Sequence, residues 1–196
     1  MRPPEGGRRP PAPSPLRETQ VPLTPDAAER ARRVRLILMD VDGVLTDGRI
    51  IFQAEVDEAK GFDARDGVGI KLAQRAGLVT GVITGRLSIA TTRRVSELNM
   101  EEFHQRVFRK VEVFDSILRS RRLSEEAVCF MGDDLVDLPI MKRAGFAAAP
   151  ADARPEALRA AHFVSDSPGG RGAVRDLIDF ILKVQGRWAR VTKGYL

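Results

Sequence analysis

Short apolar runs recur along the chain from residue 34 onwards, and segments with helical periodicity separate them. The runs at 34–39, 78–83 and 127–131 have the length of buried strands, and glycine or charged residues follow each of them. Between and after such runs stand helical segments, of which 172–185 has apolar residues along one face. Because strands that alternate with helices usually pair in parallel, we predict an α/β fold. The expected architecture is a Rossmann-like parallel sheet with helices on both faces.

The first 33 residues differ in composition from the rest of the chain. Residues 1–25 carry 8 of the 12 prolines and almost no periodic apolar pattern. Such a segment cannot bury enough surface to offset the entropy lost on ordering. We therefore predict a disordered proline- and arginine-rich extension over 1–33, in which 26–33 can form a short helix. One domain is expected over 34–185, with a β-hairpin insertion at about 48–62, and a C-terminal tail over 186–196.

The composition limits the class of protein. A chain of 196 residues with 43% hydrophobic content suits one domain with a real core. It contains no run of about 18 apolar residues and no apolar segment of a secretory signal near its start, so we expect no contact with a membrane. The single cysteine, Cys129, fits a buried thiol in a cytoplasmic protein.

The net charge of +5 raises the question of nucleic-acid binding. Residues 1–33 hold 7 arginines and 4 acidic residues, so more than half of the excess lies outside the predicted domain. Aromatic residues are few, and none is interleaved with a basic run. We therefore expect no nucleic-acid partner.

Four polar clusters follow successive predicted strands. In chain order they are Asp40 with Asp42, then Thr84-Gly85-Arg86, then Lys110, and finally Gly132-Asp133-Asp134 with Asp137 one helical turn later. Each cluster alone can be read as a turn, a helix cap or a solvated residue. The carboxyl ends of parallel strands meet at one edge of a sheet, so we expect the four clusters to converge there.

The residue types in these clusters suit phosphoryl transfer. Asp40 and Asp133 offer the hard oxygen ligands that Mg²⁺ prefers. A carboxylate beside that ion can attack a phosphorus atom, while a second acid protonates the leaving oxygen and later activates water. A hydroxyl, turn amides and a lysine can neutralise the phosphoryl oxygens.

The fuller motifs resemble those of a known family. They read DVDGVLTDG, FDARDGVGIK, ITGR, GDDLVDLPIM and GGRGAVRD in chain order. Their order resembles the haloacid dehalogenase superfamily, and their detail resembles its 3-deoxy-D-manno-octulosonate 8-phosphate phosphatase family from about residue 34 to residue 185. The resemblance implies Mg²⁺-dependent hydrolysis of that sugar-acid phosphate through an aspartyl-phosphate. It also implies a domain without a large cap, and a hairpin that helps to assemble a homotetramer in which a neighbouring subunit closes the active site.

The resemblance also implies roles for individual residues. Asp40 is the expected nucleophile and metal ligand, Asp42 the general acid/base and a further metal ligand through its carbonyl, and Asp133 the third metal ligand. Thr84 and Lys110 are expected to bind the phosphoryl group, and Asp134 to support its loop. The expected substrate-binding positions are Asp42, Asp63, Ala64, Arg65, Asp66, Gly67, Lys71, Arg86, Arg94 and Lys110. Arginines at such positions fit a carboxylate, which a guanidinium grips with two hydrogen bonds.

The chain departs from the family pattern at three places, and other functions stay open. The family usually has Asn, Arg and Gly where this chain has Asp63, Lys71 and Arg106. These changes leave a nine-carbon ulosonate 9-phosphate of the sialic-acid type as an alternative substrate. A phospho-accepting receiver is disfavoured because the DxD motif comes first and the GDD motif last. A non-catalytic scaffold is disfavoured by the complete set of acids, threonine and lysine.

Two features near the C-terminus each allow two interpretations. The glycine-rich segment at 169–175 is either a turn that caps the last predicted helix or part of a substrate lid. Trp188 and Tyr195, the only Trp and Tyr of the chain, either pack against a partner subunit or belong to a frayed terminus.

Overall fold

The main feature of the computed structural model, which describes residues 24–53 and 56–195, is a parallel sheet of six strands. Their spatial order is β5-β4-β1-β6-β7-β8. The strands of this sheet are β1 Leu36–Met39, β4 Val79–Ile83, β5 Glu102–His104, β6 Val128–Met131, β7 Phe146–Ala149 and β8 Phe163–Val164. The predicted α/β fold with a parallel sheet is confirmed.

Helices cover both faces of this sheet. They are α1 Ala27–Arg33, α2 Ala64–Arg75, α3 Ile89–Leu98, α4 Lys110–Arg121, α5 Leu138–Met141, α6 Pro155–Ala160, α7 Ala173–Val184 and α8 Trp188–Thr192. Alternate residues of β1 point to opposite faces: Ile37 and Met39 join a core with α1, α2, α3 and α7, whereas Leu36 and Leu38 join a core with α4, α5 and α6. None of the helices in the described ranges is long and apolar enough to cross a bilayer.

The expected hairpin is present as a separate two-stranded antiparallel sheet. It consists of β2 Ile51–Gln53 and β3 Val56–Ala59. The polar segment 55–60 was expected near the turn, but most of it is the second strand. The chain therefore returns earlier than predicted, and the segment carries charged side chains back towards the main sheet.

Both ends of the described chain are more ordered than predicted. Residues 1–23, to which the prediction of disorder chiefly applies, lie outside the described residues. The short helix predicted within 26–33 is present as α1, but it packs on the domain with Ala27 and Ala31 buried instead of belonging to a disordered extension. The predicted C-terminal tail contains helix α8, in which Val191 and Thr192 are buried. The chain's own core provides the partners that the sequence pattern could not show.

Candidate active site

The four predicted clusters converge at the carboxyl edge of the sheet. β1 lies between β4 and β6, so the loops that follow these three strands meet at one place. They surround a cavity of about 430 Å³. Its lining residues are Asp40, Asp42, Gly48, Thr84, Gly85, Arg86, Val107, Phe108, Lys110, Asp133, Asp134 and Val136.

The loop after β1 is a tight turn that holds Asp40 at the cavity. The amides of Leu45 and Thr46 both donate to the carbonyl of Val41, at 2.9 and 3.0 Å. Gly43 has a φ of +87°, and a Cβ atom there would lie 2.1 Å from Oδ2 of Asp133. Glycine is therefore required at this position by the backbone conformation and by the close approach of the carboxylate.

Lys110 bridges two buried carboxylates. It begins α4, and its Nζ lies 2.7 Å from Oδ2 of Asp40 and 2.7 Å from Oδ1 of Asp137. Burial alone would lower the pKa of Lys110, but the carboxylates of Asp40 and Asp137 outweigh it, and the pKa is raised. Lys110 is therefore a fixed positive charge beside Asp40.

Asp40, Asp133 and Asp137 form a compact acidic cluster. One carboxylate oxygen from each lies within 4.8 Å of the others. Burial, followed by repulsion from Asp137, raises the pKa of Asp40 to about 6. Burial and the charges of Asp137, Asp40 and Asp134 raise the pKa of Asp133 to about 8. Both shifts reflect carboxylates that are costly to ionise without another cation.

This donor set fits a divalent cation. Hard oxygen ligands from few carboxylates are typical of Mg²⁺ sites. Asp40 and Asp133 line the cavity, whereas Asp137 is fully buried behind it and accepts hydrogen bonds from the amides of Asp133 and Asp134 at 3.0 and 3.4 Å. Asp137 is thus placed to support the loop of Asp133 and the ammonium of Lys110.

The side chain of Asp42 belongs to a different set of charges. Lys60, which follows β3 of the hairpin, donates a hydrogen bond to its Oδ1. The Nε atom of Arg86 lies 3.9 Å from its Oδ2. Arg86 also donates to Oε2 of Glu58 on β3, with Nε at 3.0 Å. The hairpin therefore contacts the cavity through charged groups.

Thr84 and the loop before Lys110 line another part of the cavity. Thr84 is buried, its amide donates to the carbonyl of His104 at 2.9 Å, and its carbonyl accepts from Val107 at 3.1 Å. Arg106 has a φ of +55°, a conformation that costs a non-glycine residue energy. This is a position where the resembling family usually has Gly, and the exposed Phe108 follows it at the cavity mouth.

The substrate-binding positions predicted on α2 do not line this cavity. Ala64, Gly67 and Lys71 of α2 line a second cavity of about 350 Å³, together with Arg94 of α3 and Tyr195. Within the single chain, the structure separates this basic cavity from Asp40. Arg75 donates to the Tyr195 hydroxyl at 2.6 Å, and Trp188 packs against the main core, so both C-terminal aromatic residues contact their own chain.

Asp63, Arg65 and Asp66 have structural partners. Asp63 caps α2 by accepting from the amide of Arg65 at 2.7 Å, and their side chains form an ion pair. Asp66 is buried and accepts from the amides of Gly172 and Arg175 at 3.3 and 2.8 Å, which caps α7. Burial raises the pKa of Asp66 to about 6. The carboxylate that was predicted to bind substrate joins two helices in this structure.

The glycine-rich segment before α7 is a turn that packs on the loop of Asp40. The amide of Gly170 donates to the carbonyl of Val44 at 2.9 Å. A Cβ atom at Gly169 would lie 1.9 Å from the carbonyl oxygen of Gly43. The structure shows a glycine turn, which is one of the two interpretations from sequence. This turn packs against the loop after β1 and supports it.

Sequence reasoning missed three charged residues around the cavity. Glu58 and Lys60 were treated as polar residues near a hairpin turn, although their spacing of two is the signal of a shared strand face. Asp137 was noted but not assigned a role. Its spacing of four from Asp133 predicts two carboxylates one helical turn apart.

Comparison with known proteins identifies the class. Residues 82–177 match the family model described as haloacid dehalogenase-like hydrolase. The phosphatases named KdsC, acting on 3-deoxy-D-manno-octulosonate 8-phosphate, from Salmonella typhimurium and Escherichia coli K12 are each 37% identical over 166 residues, which is 85% of this chain and 88% of theirs.

Solved structures agree with this assignment. The corresponding phosphatase from Yersinia pestis is 36% identical with a TM-score of 0.82, over 84% of this chain and 89% of that one. The phosphatase from Moraxella catarrhalis was solved with magnesium, phosphate and the sugar acid (KDO). It is 29% identical with a TM-score of 0.85, over 87% of this chain and 98% of that one. The chain is a haloacid dehalogenase-like hydrolase. Within that class it belongs to the 3-deoxy-D-manno-octulosonate 8-phosphate phosphatase family, whose members are phosphoric monoester hydrolases.

Proposed function

We propose that this protein hydrolyses 3-deoxy-D-manno-octulosonate 8-phosphate to the free sugar acid and phosphate, with Mg²⁺ as cofactor. The observation that carries the proposal is the meeting of Asp40, Lys110 and Asp133 in one cavity, in a chain that belongs to this family. Asp40 and Asp133 would hold the ion, with the carbonyl of Asp42 as a further ligand. When bound, Mg²⁺ neutralises charge on the carboxylates and on the phosphoryl oxygens.

In the first chemical step, a carboxylate oxygen of Asp40 forms a bond to phosphorus, and the bond from phosphorus to the sugar oxygen breaks. Asp42 donates its proton to that leaving oxygen. The product of the step is an aspartyl-phosphate on Asp40. Lys110, held 2.7 Å from Asp40, and the hydroxyl of Thr84 neutralise the phosphoryl oxygens as their charge grows.

In the second step, water attacks the phosphorus of the aspartyl-phosphate. Asp42, now ionised, takes a proton from that water, and the bond between phosphorus and Asp40 breaks. Phosphate leaves, and both acids return to their starting protonation states. One residue can serve both steps because the leaving oxygen and the attacking water occupy the same side of phosphorus.

The nucleophile assignment is tested by Asp40→Asn. The variant keeps the shape of the side chain but replaces the nucleophilic carboxylate by a neutral amide, so phosphate release with Mg²⁺ present should fall to background. Asp166→Asn, which changes an exposed carboxylate that does not line the cavity, is the matched control and should retain wild-type turnover. Turnover by the Asp40 variant would contradict the assignment.

The sugar is tested by comparing kcat/KM for the eight-carbon and nine-carbon ulosonate phosphates. A higher value for the eight-carbon substrate is expected from the relatives. Lys71 and Arg94, in the second basic cavity, are the positions from which a neighbouring subunit would contact the sugar acid. A clear preference for the nine-carbon substrate would instead select the alternative.

The proposal includes a homotetramer assembled through the hairpin. Ile51 and Phe52 on β2 are 51% and 81% exposed, which is unusual for adjacent large apolar side chains. Burial between subunits would remove them from water. Phe52→Asp should therefore reduce the mass measured by light scattering after size exclusion, and an unchanged mass would exclude the hairpin as the contact. The cytoplasmic location stays a prediction, to be tested by cell fractionation.

A further inference from the structure

A pair of buried charges on the hairpin lies beside the proposed general acid. The side chain of Lys60 is 1% exposed and that of Glu58 is 4% exposed. Lys60 donates to Oδ1 of Asp42 and lies 2.8 Å from Oε1 of Glu58. Glu58 also accepts from Nε of Arg86 at 3.0 Å. These contacts link the hairpin to Asp42 and to Arg86 at the cavity.

The burial of Lys60 calls for a physical reason. A lysine is almost never fully buried unless it is paired, because removing the ammonium from water is costly. Here two carboxylates from two different elements compensate that cost. Lys60 lies after the end of β3, so its ammonium takes no part in the pairing of the two strands. The lysine is instead directed at the one carboxylate that the mechanism requires to move a proton.

We propose that Lys60 is a positioning residue for proton transfer by Asp42, and that Glu58 holds Lys60 in place for this task. The proposal deepens the proposed function and rests on it. Lys60 occupies Oδ1 of Asp42, so Oδ2 is the oxygen that carries the transferable proton. That proton goes to the sugar oxygen as its bond to phosphorus breaks, and Oδ2 later takes a proton from the attacking water.

Glu58 has a second consequence for the site. It pairs with both Lys60 and Arg86, the two cations that lie at Oδ1 and Oδ2 of Asp42. Arg86 forms an ion pair with the other oxygen of that carboxylate, with Nε 3.9 Å from Oδ2. The hairpin thus fixes which oxygen of Asp42 faces the reaction.

The choice of leaving group separates this role from a merely structural one. An alkyl leaving oxygen, as in the sugar phosphate, needs protonation, whereas p-nitrophenolate leaves readily without it. The constant kcat/KM includes steps only up to the first irreversible one, which here is transfer of phosphorus to Asp40. A defect in positioning the acid must therefore lower kcat/KM for the sugar phosphate and spare p-nitrophenyl phosphate.

The variants are Lys60→Met, Lys60→Arg and the reference Asp42→Asn, assayed with Mg²⁺ on both substrates. Lys60→Met should lower kcat/KM for the sugar phosphate about 100-fold through kcat, and change that for p-nitrophenyl phosphate less than about 3-fold. Asp42→Asn should show the same selectivity, and Lys60→Arg should recover most of the loss. Lys142→Met, at an exposed lysine beyond α5, should match wild type on both substrates.

Equal losses of Lys60→Met on both substrates, or no loss on either, would overturn the proposal. If circular dichroism shows that the methionine variant is not folded, Lys60→Gln is assayed by the same criterion. Failure of the proposed function itself has a different signature. In that case wild type hydrolyses neither substrate, or Asp42→Asn lacks the selectivity while wild type is active.

Discussion

Gly43→Ala tests whether the turn after β1 and the carboxylate of Asp133 are fitted to each other. The substitution has two separable effects. The first is backbone strain, since φ at Gly43 is +87° and a left-handed non-glycine residue costs about 1–2 kcal/mol. The second is steric, since the new Cβ atom would lie 2.1 Å from Oδ2 of Asp133.

The size of the steric effect follows from that distance. Ordinary contact begins at about 3.4 Å, so moving the oxygen from 2.1 Å to that distance displaces it by about 1.3 Å. A ligand that is displaced by this amount no longer meets the short distances and strict geometry of Mg²⁺. We expect the Mg²⁺ concentration for half-maximal activity to rise about 10- to 100-fold, as when the support of a metal ligand is lost.

The chain contains a matched control for the strain alone. Gly77 has a φ of +86°, and an added Cβ atom there meets no atom within 4 Å. Gly77→Ala should therefore lower the unfolding free energy in urea titrations by the amount that backbone strain alone costs in Gly43→Ala. Its activation by Mg²⁺ should stay at the wild-type level. If Gly43→Ala is activated by Mg²⁺ like wild type, or if Gly77→Ala shows the same shift, the proposed fit between Gly43 and Asp133 is refuted.

Three further predictions concern charges in the fold and the site. The pKa of Asp66 is about 6 in the folded protein against 3.8 in the unfolded chain, so its contribution to stability is complete below pH 3.8 and is lost as the pH rises through 6. In urea titrations, the unfolding free energy of wild type should fall between pH 4 and pH 6, and this fall should be absent in Asp66→Asn. The same dependence on pH in both proteins would contradict the assignment. Binding of Mg²⁺ at 100 times its dissociation constant should stabilise the folded state by about 2.7 kcal/mol and raise Tm by roughly 5 °C or more over EDTA, and equal Tm values would exclude the site. Lys110→Met leaves Asp40 and Asp137 buried without their cation, so in EDTA it should lower the unfolding free energy by about 3 kcal/mol, with a smaller loss in Mg²⁺; equal stability of variant and wild type would count against the bridge.

The strands and the edge of the sheet could be predicted from local patterns. The alternation of apolar runs and helical segments correctly indicated a parallel sheet, and the polar clusters after β1, β4 and β6 meet where parallel strands end. Local signals were enough because each strand is defined by its own residues and each cluster by its place after a strand. Both ends of the described chain were misjudged, since α1 and α8 are stabilised by partners far away in sequence.

The substrate positions show where this reasoning stops. Asp66 and Arg65 share one motif, yet one caps α7 while the other pairs with Asp63 at the surface. Ala64, Gly67 and Lys71 lie along a second cavity, because the helix that carries them is placed by its packing on α7 and α3. Sequence spacing does not contain that placement.

The sequence by itself determined the fold class, the family and the identity of the acids, threonine and lysine at the carboxyl edge. Only the tertiary structure decided how these groups are paired. Lys110 bridges Asp40 and Asp137, and Lys60 reaches Asp42 from a hairpin that belongs to a separate sheet. The physical reason is that strand and helix patterns depend on neighbouring residues, whereas the burial and pairing of a charge depend on residues that are brought together only by folding.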